Sequence, residues 1–262
     1  MPRSTMPAKG QAVLPPITDP TVHAAIDRLA RRYLRAGGIG MEIMNMVGGS
    51  AESALKRLPS FVTRRLDKIV TLGLERAYDA ADRSRRVVRD RGDWFNRLAT
   101  TASGVAGGVA GLPGAVVELP VTITLLLRAM LEIAAEHGFD PDSDEVRREC
   151  LLIFAAGGPG TEDDGTDVGL LAARLTITGQ TLQGLIAKVA PRLSATLAQK
   201  LAAQAAPVLG AVAGASINYT FAAYYQQLAR VHFGMMRLAD EADLPREAVA
   251  EAVRLRIAQL RD

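Results

Sequence analysis

The sequence predicts an all-α protein, a bundle of about eight to ten helices around a central glycine-rich apolar hairpin. Three observations carry this expectation. Ala, Leu, Arg and Val dominate while Phe, Tyr and Trp together reach only 5% of residues, a balance that favours helices over sheets. Apolar residues recur at three- and four-residue intervals between glycine and proline punctuation. No stretch shows the apolar–polar alternation of a half-buried strand.

The elements follow in order. Residues 1–20, with Pro2, Pro7, Pro15 and Pro16 and no apolar run, read as a flexible leader and not as a signal peptide. Residues 21–262 read as one helical domain: a basic part (21–97), an apolar part (98–240) and a C-terminal amphipathic helix (245–260). Asp19 or Thr21 caps a first helix over about Val22 to Leu34, which Gly37, Gly38 and Gly40 are expected to break. A second helix is expected over 42–58. Pro59 and Ser60 open a third, with Phe61, Leu66, Ile69, Val70, Gly73, Leu74, Ala77 and Tyr78 as its buried stripe and Gly92 as its stop. Pro113–Gly114 should interrupt the next segment, and Pro120 suits a helix first turn. That helix runs to His137, with Gly138 ending it. Asp140 to Ser143 form a turn and cap for a helix over 144–156. Residues 157–165 are an acidic glycine-rich loop. Helices are then expected at 168–178, 182–206 and 207–239, with Pro245 opening the last.

Two uncharged, glycine-studded segments stand out, 98–117 and 201–229. A membrane span needs about 20 mostly apolar residues. The first has the length but also five glycines, Pro113 and three hydroxyl side chains. Gln204, Asn218, Gln226 and Gln227 dilute the second. Gly104/Gly108, Gly107/Gly111 and Gly210/Gly214 are spaced four apart, which lets helix backbones approach closely in a bilayer or in a bundle. A buried helical hairpin is the first expectation, and segments that insert into a bilayer are the alternative.

Charge is uneven. Residues 1–97 carry 18 Lys/Arg against 10 Asp/Glu, and residues 98–262 carry 13 against 18. The basic half would be drawn to an anionic surface, and Arg83, Arg85, Arg86 and Arg89 would make the headgroup contacts. A solvated basic face with no partner is the plainer reading. These arginines do not interleave with aromatics as a single-strand nucleic-acid platform would, so no nucleic acid is expected.

Chemical motifs are missing. Gly160 and Gly165 have half of a phosphate-loop spacing, but Thr166 stands where lysine is required. Asp163, Asp164 and Asp167 lack the calcium-loop pattern. His23, His137 and His232 have no second ligand at metal spacing, and the single Cys150, expected to pack in a core, excludes an internal disulfide. No cofactor, metal or catalytic residue is assigned. Five polar residues do sit oddly among apolar ones: Glu118, Arg128, Asn218, His232 and Arg237. Burial would require each to be paired, as a network fixing helix register or as a site for a headgroup or small ligand.

The run over residues 102–138, ASGVAGGVAGLPGAVVELPVTITLLLRAMLEIAAEHG, resembles the EcsC protein family. So do Cys150 to Gly158, Pro207 to Asn218, and Ala229 to Phe233 with Arg237–Leu238. With the helical stretch 58–80, the resemblance covers roughly residues 40–240. It implies a bacterial, membrane-associated protein of a family named from an ABC-transporter operon, and no activity. The loop at Pro159 departs from the family pattern. The expected function is a non-catalytic, peripheral lipid-binding protein on the inner face of the cell membrane, held by anionic headgroups or an acyl chain. An accessory protein for a membrane transporter is the second expectation. A hydrolase is the third, and it would need His232 or His137 beside a carboxylate such as Glu118 in a pocket.

Overall fold

A computed structural model of the chain describes residues 16–47, 56, 58–87, 111–155, 181–204 and 210–261. Side chains in 40–47, 78–87 and 210–217, and a few others within helices, lie outside the description. Seven helices fill these residues: α1 (Pro20–Val47), α2 (Ser60–Val87), α3 (Gly111–Glu136), α4 (Asp144–Ala155), α5 (Leu182–Gln204), α6 (Gly210–Glu241) and α7 (Arg246–Arg261). Among the described residues there is no strand.

Local chemistry sets several of the helix ends. Asp19 accepts a hydrogen bond from the Thr21 amide at 2.7 Å, with Pro20 in the first helical position, where its missing N–H costs nothing. Ser143 accepts from the Val146 amide at 3.2 Å, and Asp144 and Glu145 fill the first turn of α4. Thr181 does the same for Gly184 at the start of α5. At the end of α3 the amides of Gly138 and Phe139 bond back to Ala135 and Ala134, a reversal that Gly138 permits with φ of 86°. α6 ends in the same way, but there Asp243 takes the left-handed position with φ of 50°.

Two expected interruptions are overturned. α1 runs unbroken through Gly37, Gly38 and Gly40 to Val47, so the first helix does not stop near Leu34 and the second does not begin at 42. Each glycine costs a helix about 1 kcal/mol. The packing of Val22, Ile26, Ala30, Tyr33 and Ala36, all buried at helical spacing, offsets that. α3 likewise passes through Pro113 and Pro120. Pro113 falls in its first turn, where no intrahelical bond is lost. Pro120 is interior, and α2 lies close against that turn: a Cβ on Gly73 would sit 3.7 Å from the Pro120 Cα. The α2 stripe holds at Leu66, Val70, Gly73, Leu74 and Ala77, with Ile69 at its margin, while Phe61 and Tyr78 lie outside the described side chains. Gly92, the 157–165 loop and the 168–178 helix are outside the described residues.

α6 is the centre of the bundle. Helices α1, α3, α4, α5 and α7 all pack against it, and apart from Tyr219 its residues from Asn218 to Phe233 are buried or nearly so. Phe154 and Tyr225 meet edge to face at 5.3 Å in the core, and Cys150 is buried beside them on α4. The helices that contain the described ends of the two uncharged segments, α3 and α6, pack on each other. Gly104, Gly107 and Gly108 lie outside the described residues, and Gly111, Gly210 and Gly214 lie in helices whose side chains there are not described.

Candidate functional site

The five polar residues singled out in the sequence fall in four places. Glu118 of α3 and Asn218 of α6 are brought together. The Glu118 Oε1 accepts from Asn218 Nδ2 at 2.6 Å, Thr122 Oγ1 at 3.0 Å and Lys200 Nζ at 3.0 Å. Lys200 also donates to Thr122 Oγ1 at 2.9 Å. Lys200, on α5, was not foreseen, and its side chain is 0% exposed. Burial pushes the Glu118 carboxyl up, but the Lys200 charge and the three hydrogen bonds outweigh it and hold it below the usual carboxylate value. Burial draws the Lys200 ammonium below its usual value, and Glu118 opposes the shift. This cluster ties α3, α5 and α6 into one register.

His232 takes a different partner. Its Nε2 lies 2.7 Å from Glu149 Oε2 on α4, and both residues are buried. The hydrolase reading asked for a histidine beside a carboxylate in a pocket. His232 has the carboxylate, but the pair is closed off in the core. Arg128 is buried on α3.

Arg237 is exposed and pairs with Glu241 at 2.6 Å. It opens onto a cleft of about 650 Å³ between α1 and α6. Six arginines line it: Arg28, Arg31, Arg32 and Arg35 from α1, and Arg230 and Arg237 from α6. Among the described residues, Glu241 is the only carboxylate in the wall. On α1 the four arginines stand at spacings of three and four, one face of a helix. On α6 the matching stripe is Arg230, Gly234, Arg237 and Glu241. Gly234 is what lets the two helices close: a Cβ there would stand 2.7 Å from Leu29 Cδ2. Leu29, Leu34 and Leu238 give the cleft an apolar wall beside its charges.

The arginines are not equally engaged. Arg31 pairs with Asp27 at 2.8 Å and Arg230 with Glu136 at 2.6 Å. Asp27 is also held by Arg256 of α7, and these hydrogen bonds, Arg31 first, keep its carboxyl below the usual value. Among the described residues, Arg28 and Arg35 have no carboxylate partner. The cleft therefore carries unbalanced positive charge at a concave, partly apolar surface, the combination that attracts an anionic amphiphile. Sequence reading placed the basic surface elsewhere, at Arg83, Arg85, Arg86 and Arg89. Arg89 is outside the described residues, as are the side chains of the other three.

Over residues 6–238 the sequence matches the EcsC protein family. The chain belongs to that family. No curated protein and no solved structure matches it. In this EcsC family member no group of three or more His, Cys, Asp or Glu among the described residues is placed to hold a metal ion. Among the same residues, no helix is long and apolar enough to cross a membrane.

Proposed function

We propose that this EcsC family protein is a peripheral membrane protein that takes an anionic lipid headgroup into the arginine-lined cleft between α1 and α6. The observation that carries the reading is the cleft itself: six guanidinium groups around about 650 Å³, two of them with no carboxylate partner among the described residues. A basic residue near an anionic lipid surface contributes about 1 kcal/mol, and the attraction fades within a Debye length. The excess of basic residues in the first 97 positions acts in the same direction. The apolar wall at Leu29 and Leu238 suits the glycerol and upper acyl portion below a headgroup.

Vesicle flotation tests it. The chain should be recovered with phosphatidylcholine vesicles containing phosphatidylglycerol and not with phosphatidylcholine alone, and recovery should fall as salt rises. Arg28→Gln with Arg35→Gln removes about 2 kcal/mol, a loss of about thirtyfold in partitioning. Equal recovery on neutral and anionic vesicles, or none on either, would defeat the reading.

A further inference from the structure

Besides the Glu241 carboxylate, which Arg237 engages, the cleft contains one half-buried acceptor among its many donors. His137 follows the last residue of α3, and its Nδ1 lies 2.8 Å from the Ile133 carbonyl. A carbonyl only accepts, so in the neutral ring the proton sits on Nδ1 and Nε2 carries the lone pair. That Nε2 points to the floor of the cleft, 3.9 Å from where a Cβ on Gly234 would be. The charged groups that line the cleft with it are Arg28, Arg31, Arg32 and Arg35 from α1 and Arg230, Arg237 and Glu241 from α6, and Glu136 of α3 also acts on it. Glu136 and Glu241 are already engaged by Arg230 and Arg237. Burial, with the Arg230 and Arg237 charges, holds the imidazole below its ordinary value against its bond to Ile133 and the Glu136 charge, so Nε2 is an acceptor near neutral pH.

We propose that the cleft selects a phosphate monoester, held by Arg28 and Arg35 and sharing one proton with His137 Nε2. The proposal rests on the reading of the cleft as an anionic-headgroup site and names the anion. A monoester dianion matches Arg28 and Arg35, which have no carboxylate partner among the described residues. Its second ionisation lies near pH 6, so close to neutrality the free ligand and the free imidazole have both lost a proton that the complex regains. That proton bridges Nε2 and a phosphate oxygen, a charge-assisted hydrogen bond whichever atom holds it. A phosphodiester has no proton of its own to offer. Its free oxygens are acceptors only, and one set against Nε2 meets a lone pair unless the ring protonates among six arginines. The same chemistry is found on a phosphatidate-type headgroup and on a free soluble phosphomonoester.

Two measurements on the full chain separate these sources. One is flotation with phosphatidylcholine vesicles carrying phosphatidic acid or phosphatidylglycerol, matched for surface potential. The other is calorimetry with sn-glycerol 3-phosphate across pH. A preference of about tenfold for the monoester is expected from one additional hydrogen bond. Affinity should fall about tenfold per pH unit above neutrality, because binding takes up one proton. His137→Gln should flatten that slope and remove the preference while leaving the thermal melt of the helices in place. Preference for phosphatidic acid supports the site with lipid as source. Binding of glycerol phosphate with the pH slope, but no flotation, keeps the monoester site and defeats the membrane reading. Equal flotation on both lipids with no pH slope overturns the monoester proposal and leaves membrane association standing.

Discussion

Replacing Lys200 with Met keeps the length of the side chain and removes the cation from the enclosed cluster at Glu118. The Nζ to Oε1 distance is 3.0 Å, with the two side chains 0% and 6% exposed. At an effective dielectric near 20, the attraction at that distance is about 5 kcal/mol. Removing one partner of such a pair costs about 3–5 kcal/mol, since the remaining charge is left desolvated. Thr122 and Asn218 still bond to Glu118, which puts the expected loss at the lower end. The pH dependence changes sign. In the native chain the carboxyl is held below its ordinary 4.5, so its contribution is complete above that pH and is lost as acid protonates it. In Lys200→Met, burial, the largest influence, is opposed only by the Asn218 and Thr122 hydrogen bonds and is expected to raise the carboxyl. The unfolded chain then ionises first, and stability falls as pH climbs from 4.5 through the folded value. The loss should be largest at neutral pH and shrink in acid. Glu118→Gln added to Lys200→Met should recover most of it, because no buried charge remains. Urea unfolding followed by far-UV circular dichroism at several pH values measures all three proteins. A loss under about 1 kcal/mol at neutral pH, or one that does not shrink in acid, would show that the pair is not desolvated in this way.

Gly38→Ala should stabilise by about 0.5–1 kcal/mol, since Gly38 is helical and exposed and nothing lies within 4 Å of its Cβ position; a thermal melt checks it. Gly73→Val should cost about 1–3 kcal/mol by overpacking the α2–α3 contact, where a Cβ already meets Ile123 Cδ1 at 2.9 Å. Urea titration would read that loss, and Gly73→Ala should be milder because the Ile123 tip can move. Asp243→Gly should raise the melting temperature, worth up to about 1 kcal/mol, because glycine takes the left-handed position at φ of 50° without strain.

What the sequence made legible was local. Ser143, Gly138 and Pro245 mark helix boundaries through bonds to neighbours within a few residues, so α4, the end of α3 and the start of α7 could be read directly. The glycines of α1 misled because their cost is small and the packing of α1 on α6 is remote in sequence. Lys200 carried a signal that was passed over. It stands seven residues after Leu193 and three after Leu197, on a stripe whose leucines are all buried, and a lysine on such a stripe needs an internal partner. Glu118 and Asn218 were found by the same logic, as polar breaks in apolar runs. The cleft could not be found that way. Arg28 and Arg35 lie about 200 residues from Arg230 and Arg237, and only the pairing of α1 with α6 through Gly234 and Leu29 puts them around one space.

The two polar systems on α6 point in opposite directions, and this predicts how they separate. At 100° per residue, His232 lies about 200° around the helix from Arg230, and equally far from Gly234. The face toward α4 holds the His232–Glu149 pair, and the face toward α1 holds the cleft. Because α6 is enclosed by five other helices, the cleft arginines on it are held on a rigid element and need little ordering when a ligand arrives. Glu149→Leu leaves the His232 Nε2–H buried without an acceptor, at a cost of about 1–3 kcal/mol in stability. It should leave vesicle binding unchanged at temperatures where the variant is fully folded. A folded Glu149→Leu protein with altered headgroup affinity would mean that the core pair positions the cleft through α6, and that the two faces of the helix are coupled.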